Sequence, residues 1–259
     1  MSAKIDIVDF NLFIDAMKAA SKLVKSAKLI FSQNGLEIYG ACGKIARCEL
    51  VTNAVKASED FDVCIDDIGM LNKVLATVKN VHKDSFEDLS ICYNKPNLMF
   101  KSSKLKMKYS SCKETIISQW VSKKIEAKMQ NVFEFKTTSE MIKQINGHSF
   151  LFDNASSVNV YLETKDDMEK NALFATLGNK NVDLGKEITL KLGLVTFGQI
   201  PADKHIVLDL ERLNLFNCVP SNDISVSLTD KNCLLSKSRT AGKNGSALSI
   251  NLYCTFLKG

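Results

Sequence analysis

The same order of elements is written twice along this chain, and that repetition limits the folds open to it more than any single motif does. In the first copy, apolar alternation and helical spacing predict a short strand at 5–8, then a helix of about 15 residues from Phe10. Strands follow at 28–33, 36–41, 45–52 and 61–65, then a helix at 67–78 and strands at 86–93, 97–102 and 105–110. Asn34-Gly35 between two of these strands is a tight-hairpin signal. The second copy predicts a strand at 132–135, a helix at 139–148 and strands at 158–164, 172–177, 188–197 and 205–208. A helix at 209–219 and strands at 224–229, 233–237 and 248–256 complete it.

Individual residues repeat with the elements. Phe133, Phe135, Met141, Ile142 and Ile145 match Ile5, Ile7, Phe13, Ile14 and Met17 at one constant offset. Asp209, Leu210, Leu213 and Asn214 match Asp67, Ile68, Leu71 and Asn72 at another, and 89–103 runs in register with 224–238. The predicted class is therefore α+β: a duplicated domain of antiparallel sheet with two helices per copy. The copies span 1–110 and 132–259, joined by a connector at 111–131 that holds the only tryptophan, Trp120. Ile116, Ile117, Trp120 and Val121 give the connector enough apolar surface to be pinned down.

Composition narrows the function. A chain of 259 residues, 45% hydrophobic and 24% charged, has the balance of globular proteins. No apolar run approaches the ~20 residues that cross a bilayer, and Asp6 and Asp9 interrupt the place of a signal-peptide core, so an intracellular protein is expected. Cys48, Cys64, Cys92 and Cys254 fall in alternating apolar segments, where cysteine acts as a small buried hydrophobe. No CxxC pair occurs, and His82, His148 and His205 stand far apart, so neither metal nor disulfide framework is expected. Phosphate-loop, dinucleotide, zincin and nucleophile-elbow motifs are missing, and no cofactor is expected. Asp66 and Asp67 lie where a strand runs into a helix and read as caps rather than acid–base catalysts. An enzyme drawing residues from separate strands stays open, but no residue set recommends it.

The helices carry the chemistry that remains. Phe10, Phe13, Ile14, Met17 and Val24 fall on one side of the first helix, and Lys18, Lys22 and Lys25 form a stripe away from it. Lys73 lies in the second helix with Lys79 after its last turn; the matching helices of the second copy offer Lys143 and Arg212. A lysine stripe is also what an ordinary solvated helix face looks like. The charge is uneven, however: residues 1–130 hold 20 basic and 15 acidic side chains, the remainder 14 of each. Cations on four equivalent helices would form one surface able to neutralise duplex phosphates without reading bases.

At this point the pattern resembles the DNA polymerase sliding clamps of the two-domain type, such as proliferating-cell nuclear antigen and the T-even phage clamp. FDVCIDDIGMLNKVLATV followed by LSICYNKPNLMF, and KHIVLDLERLNLFNCV followed by ISVSLTDKNCLL, look like the strand–helix–hairpin block of a clamp domain in two versions. The resemblance implies a head-to-tail homotrimer closed into a ring, with sheets outside, helices lining the hole, and no enzymatic activity. It assigns Lys18, Lys22, Lys25, Lys73, Lys79, Lys143 and Arg212 to loose contact with duplex DNA. It assigns the subunit edges to Leu105, Met107 and Tyr109 on one chain and Ile188, Leu190 and Leu192 on the next. A groove for short peptide motifs of a polymerase and a clamp loader would involve Ile45, Ile116, Ile117, Trp120, Val121, Tyr253 and Phe256.

Three alternatives stay open beside it. Lys104, Lys106 and Lys108 also suit gatekeepers that blunt an exposed strand edge. A basic chain, with sequence pI near 8.7, also suits an open processivity factor of the same fold that clings to DNA as monomer or dimer. A structural or assembly protein without a DNA role is a further reading. Heavy use of Lys, Asn and Ile points to a phage or small-genome source.

Overall fold

The computed structural model describes residues 2–42, 46–83, 85–117, 129–151, 159–164, 171–178, 187–200, 206–218, 221, 223–231, 233–255 and 257–258. The chain divides into two compact units. One comprises 1–125 with 239–250, the other 126–238 with 251–259.

In the first unit, β1 (Ala3–Ile7) leads into α1 (Phe10–Leu23), followed by β2 (Ala27–Ser32), β3 (Gly35–Cys42), β4 (Ala46–Thr52), β5 (Val55–Ala57) and β6 (Phe61–Ile65). Then come α2 (Ile68–His82), β7 (Ser90–Asn94), β8 (Asn97–Lys101) and β9 (Lys106–Ser110). The antiparallel order β5-β1-β7-β8-β9 makes one sheet, and β4-β3-β2-β6 are neighbours in another. Alternation decides which face is buried: Ile5, Ile91, Leu98 and Phe100 point inward, while Lys4, Ser90 and Lys101 between them are exposed. Each buried Leu, Ile or Phe contributes about 1.5–3 kcal/mol, so this alternation sets the register.

The second unit repeats the order. It holds β10 (Asn131–Thr137), α3 (Ser139–Gly147), β11 (Asn159–Thr164), β12 (Ala172–Gly178), β13 (Ile188–Gly198), β14 (Ile206–Asp209) and α4 (Leu210–Leu215). After these run β15 (Ile224–Thr229), β16 (Cys233–Ala241), β17 (Ala247–Thr255) and β18 (Leu257–Lys258). Here β10 pairs with β13 and β15, as β1 pairs with β5 and β7 in the first unit. The duplication read from residues is thus a duplication of strand pairing.

Several expected boundaries move. The loop between β2 and β3 is Gln33–Asn34, since Ser32 pairs with Gly35. Gly35, at φ +148°, is in the strand, and a Cβ there would meet the Thr52 carbonyl oxygen at 2.3 Å. The strand expected over 86–93 begins only at Ser90, because Phe86 turns its ring onto Phe10 at 4.4 Å and Leu89 N–H closes a turn onto its carbonyl. The helix expected over 67–78 runs on to His82, whose buried ring lies against Phe86 and Asp88. The helix expected over 209–219 stops at Leu215, where Phe216 and Asn217 donate to carbonyls three residues back and tighten the turn. The hairpin tip 239–250, expected with the second copy, belongs to the first unit.

Candidate nucleic-acid interface

Each helix of the first unit begins on an aspartate. Asp9 Oδ1 accepts from Leu12 N–H at 3.0 Å and Asp67 Oδ1 from Met70 N–H at 2.9 Å, satisfying donors that the first turns leave open. Asp67 is therefore a cap, and Asp66 accepts its N–H at 3.0 Å. Phe10, Phe13, Ile14, Met17 and Ala20 are buried on α1, as are Ile68, Leu71, Leu75 and Val78 on α2. The two helices pack on each other, tied by Asn72 Nδ2 donating to Ser21 Oγ at 3.1 Å.

With the apolar sides committed, the cations are left in solvent. Lys18, Lys22 and Lys73 are exposed, with Lys18 at 4.0 Å from Asp15 one turn earlier. Two placements correct the sequence reading. Lys25 is not the third member of a helical stripe, because α1 ends at Leu23 and Val24 is already extended. Lys25 remains exposed, and its carbonyl accepts from Ile68 N–H at 2.9 Å at the entry to α2. Lys79 does not follow the helix but lies in its last turn, half-buried. Cations there are favoured by the C-terminal end of the helix dipole.

In the second unit Thr138 Oγ1 caps α3 by accepting from Met141 N–H at 3.2 Å. Ile142 and Ile145 pack inward and Lys143 is exposed. Leu213 of α4 is buried and Arg212 is half-buried, so this helix pair exposes fewer cations than its counterpart. Asn146 donates its amide to Asn214 Oδ1 and ties α3 to α4.

Around the connector, Cys112 N–H donates to the Cys64 carbonyl at 2.9 Å, and Lys28 bridges Asp62 at 2.8 Å and Glu114 at 3.1 Å. The hydrogen bond to Asp62 above all holds the Lys28 ammonium above the ordinary lysine range, against a smaller opposing effect of burial. Ile117 is 5% exposed and packs with Tyr39 and Cys64; Ile116 beside it is 63% exposed. Of the expected groove, Ile116 is thus open to solvent, Ile117 lies beneath the surface and Tyr253 is half-buried. Ile45, Trp120, Val121 and Phe256 lie outside the described residues. Burial pushes the Cys64 and Cys112 thiols up, which suits packing and not nucleophilic chemistry.

The expected subunit edges differ in what their side chains can reach. Among the described residues β9 ends its sheet, paired with β8 alone. β13 pairs with β12 over Ile188–Leu194 and with β10 over Leu194–Gly198. Leu105, Met107, Ile188 and Leu190 are half-buried. Tyr109 and Leu192 are a correction: both are buried, Tyr109 donating its hydroxyl to the Asp67 carbonyl at 3.0 Å, so neither presents its side chain outward.

Sequence reasoning missed the second duty of Asp9. Its Oδ2 accepts from Lys243 N–H at 2.7 Å and Ser246 Oγ at 3.0 Å, anchoring the hairpin tip. An acid just before a helical apolar run signals the cap, but nothing local marks partners so distant in the chain. Among the described residues no group of three or more His, Cys, Asp or Glu is arranged to hold a metal ion, and no helix is long and apolar enough to cross a membrane.

No family model and no curated protein sequence matches this chain. Solved structures match it along its whole length. The proliferating cellular nuclear antigen of Entamoeba histolytica is 14% identical at a TM-score of 0.66, covering 99% of this chain and 98% of its own. A PCNA2–PCNA3 complex from Sulfolobus tokodaii gives 14% and 0.62, covering 99% of each chain. A. fulgidus PCNA, bound to the C-terminal region of FEN-1, gives 12% and 0.69, covering 100% of this chain and 99% of that one. At such identities the likeness establishes the fold: this chain has the α+β fold of PCNA-type sliding clamps.

Proposed function

We propose that this chain is a sliding clamp that encircles duplex DNA and tethers a replicative DNA polymerase, raising its processivity. The observation that carries the reading is the helix pair of the first unit, which spends its apolar side on packing and leaves Lys18, Lys22, Lys25 and Lys73 to solvent. Lysine–phosphate contacts are loose and exchangeable, so a duplex can move past them without a preferred register. Retention then comes from topology, because an encircled duplex cannot leave by breaking weak contacts. Nothing in this role requires catalysis, a metal or a cofactor.

Ring closure in this reading uses the β9 edge of one chain and the Ile188–Leu192 stretch of β13 in the next, as a homotrimer. The end position of β9, and β12 as the only described strand beside that stretch of β13, support it. A rotational head-to-tail assembly satisfies both edges at once. Exposed Ile116, with Ile45, Trp120, Val121, Tyr253 and Phe256 nearby in the family scheme, would receive short peptide segments of polymerase and loader. The FEN-1 segment on A. fulgidus PCNA is a precedent for such a partner. The decisive experiment pairs solution mass with retention on nicked circular DNA in high salt. A trimer that stays on circles and runs off after linearisation is expected.

The excess of positive charge in residues 1–130 favours one second reading, an open factor held to DNA by charge alone. A monomer released from circles and linear DNA by the same salt step would establish that instead. Failure to bind DNA even at low salt would leave a structural or assembly role.

A further inference from the structure

We propose that the outward face of the β5-β1-β7-β8-β9 sheet is a second contact surface for the phosphates of duplex DNA, separate from the helices and independent of ring closure. Tyr109 and Lys108 are successive residues of β9 and so point to opposite faces. Tyr109 reaches the start of α2, which puts Lys108, and Lys106 two residues before it, on the face turned away from the helices. Lys101 on β8 pairs directly with Lys106, and Lys108 pairs with Met99. All three lysines are exposed.

Like charges directly opposite each other weaken a sheet unless something neutralises them. No ion pair joins Lys101, Lys106 or Lys108 to a carboxylate among the described residues; on this face Asp6 is taken up by Lys4 at 2.6 Å, two strands from β8. Gatekeeping of a strand edge explains Lys106 and Lys108, but it does not explain Lys101, because β8 is paired on both sides. An external polyanion explains all three.

The chemistry of the face selects the polyanion. Its centre is Cys92 and Met99, while Tyr93 and Tyr109 are turned inward, so among the described residues of these strands no ring is offered for stacking unpaired bases. An acidic peptide would need an apolar anchor point, and the apolar side chains of β7, β8 and β9 that are buried, Ile91, Tyr93, Leu98, Phe100 and Tyr109, belong to the opposite face. Flexible ammonium groups at about 5 Å between strands and about 7 Å along one suit the dense, repeating charge of a duplex backbone.

The test is binding of the full chain to a short fluorescent duplex across a range of salt. The outer variant is Lys101→Gln with Lys106→Gln and Lys108→Gln; the helix variant is Lys18→Gln with Lys22→Gln and Lys73→Gln. The outer variant is expected to weaken binding about 10-fold or more at low salt, and to lower the slope of log affinity against log salt by about 2–3. Lys101→Gln alone is expected to lower it by about 1, which covers the case of a misfolded triple variant. Unchanged affinity and slope in the outer variant would overturn the proposal, as would loss of binding to polyglutamate alone. If the outer variant is impaired and the helix variant is not, this surface stands and the hole-lining role of the helices falls. The reverse removes this surface only.

Discussion

Asn72 on α2 donates its side-chain amide to Ser21 Oγ on α1 at 3.1 Å, and Asn214, the residue that matches it in the second copy, accepts from Asn146 on α3. One duplicated position therefore ties the two helices of each unit. Ser21 Oγ also donates to the Lys18 carbonyl at 2.8 Å, so Asn72→Ala strands no donor on α1. The expected cost is about 0.5–1.5 kcal/mol, the net worth of one hydrogen bond. Thermal unfolding checks it, and a loss beyond about 3 kcal/mol would mean that Asn72 holds more than this contact.

Where periodicity decided an element, the sequence was enough. The apolar positions of α1 and the alternation in β7 and β8 are readable because local pattern and tertiary burial agree. Where a distant side chain decided, it was not. His82 extends α2 by packing on Phe86 and Asp88, and Phe86 leaves the β7 strand to pack its ring, tilted, against Phe10. The candidate lysines were legible as a stripe, but their exposure was not. Lys79, read in the sequence as following the second helix, and Arg212, read as lying on the matching helix of the second copy, are half-buried in the structure.

Asp9 joins a helix start to a hairpin tip through a single carboxylate. Removing it in Asp9→Ala deletes the cap and strands Lys243 N–H, while Ser246 Oγ keeps the Lys243 carbonyl as acceptor at 2.6 Å. About 1 kcal/mol for the cap and about 1–3 kcal/mol for the stranded donor are expected. Gly242→Ala attacks the same joint, since its Cβ would meet Ser246 Oγ at 2.4 Å and Asp9 Oδ2 at 2.7 Å.

The same carboxylate sets an acid dependence. Burial alone would raise its pKa, but hydrogen bonds from Leu12, Lys243 and Ser246 outweigh burial and hold it below the ordinary aspartate range. A depressed folded pKa means stability that is present above about pH 4 and lost as pH falls through the folded value. Asp9→Asn removes that contribution. Denaturant unfolding between neutral and acid pH should show the wild type losing more stability than the variant, and parallel curves would contradict the assignment.

The helices of the two units are expected to contribute unequally to DNA binding. Each lysine that neutralises one phosphate adds about 0.9 to the salt slope. Lys18→Ala, Lys22→Ala and Lys25→Ala together should lower it by about 2–3. Lys143→Ala with Arg212→Ala should lower it by about 1, because Arg212 is half-buried. Duplex binding across a salt series measures both, and a loss of about 2 from the Lys143 and Arg212 pair would mean that Arg212 reaches phosphate from its half-buried position.

Tyr109 separates edge from core. Its strand is the proposed subunit edge, yet its phenol is buried and bonded within its own unit. Burial first, then the charges of Asp66 and Asp67, push its pKa up to about 12. A raised folded pKa means stability that is complete below about pH 10 and lost as pH rises towards about 12, because the unfolded phenol ionises first. Tyr109→Phe should therefore cost about 0.5–1.5 kcal/mol at neutral pH and remove part of the alkaline loss, as followed by denaturant unfolding and phenolate absorbance. The same variant should leave the mass in solution unchanged, since only the backbone of residue 109 faces the neighbouring chain in the proposed ring. Leu190→Lys, by contrast, puts charge on the half-buried side of the opposite edge and should reduce assembly. A mass unchanged by Leu190→Lys would place the subunit contact on a different surface from this stretch of β13, and a mass that falls with Tyr109→Phe would mean that the phenol itself takes part in the contact.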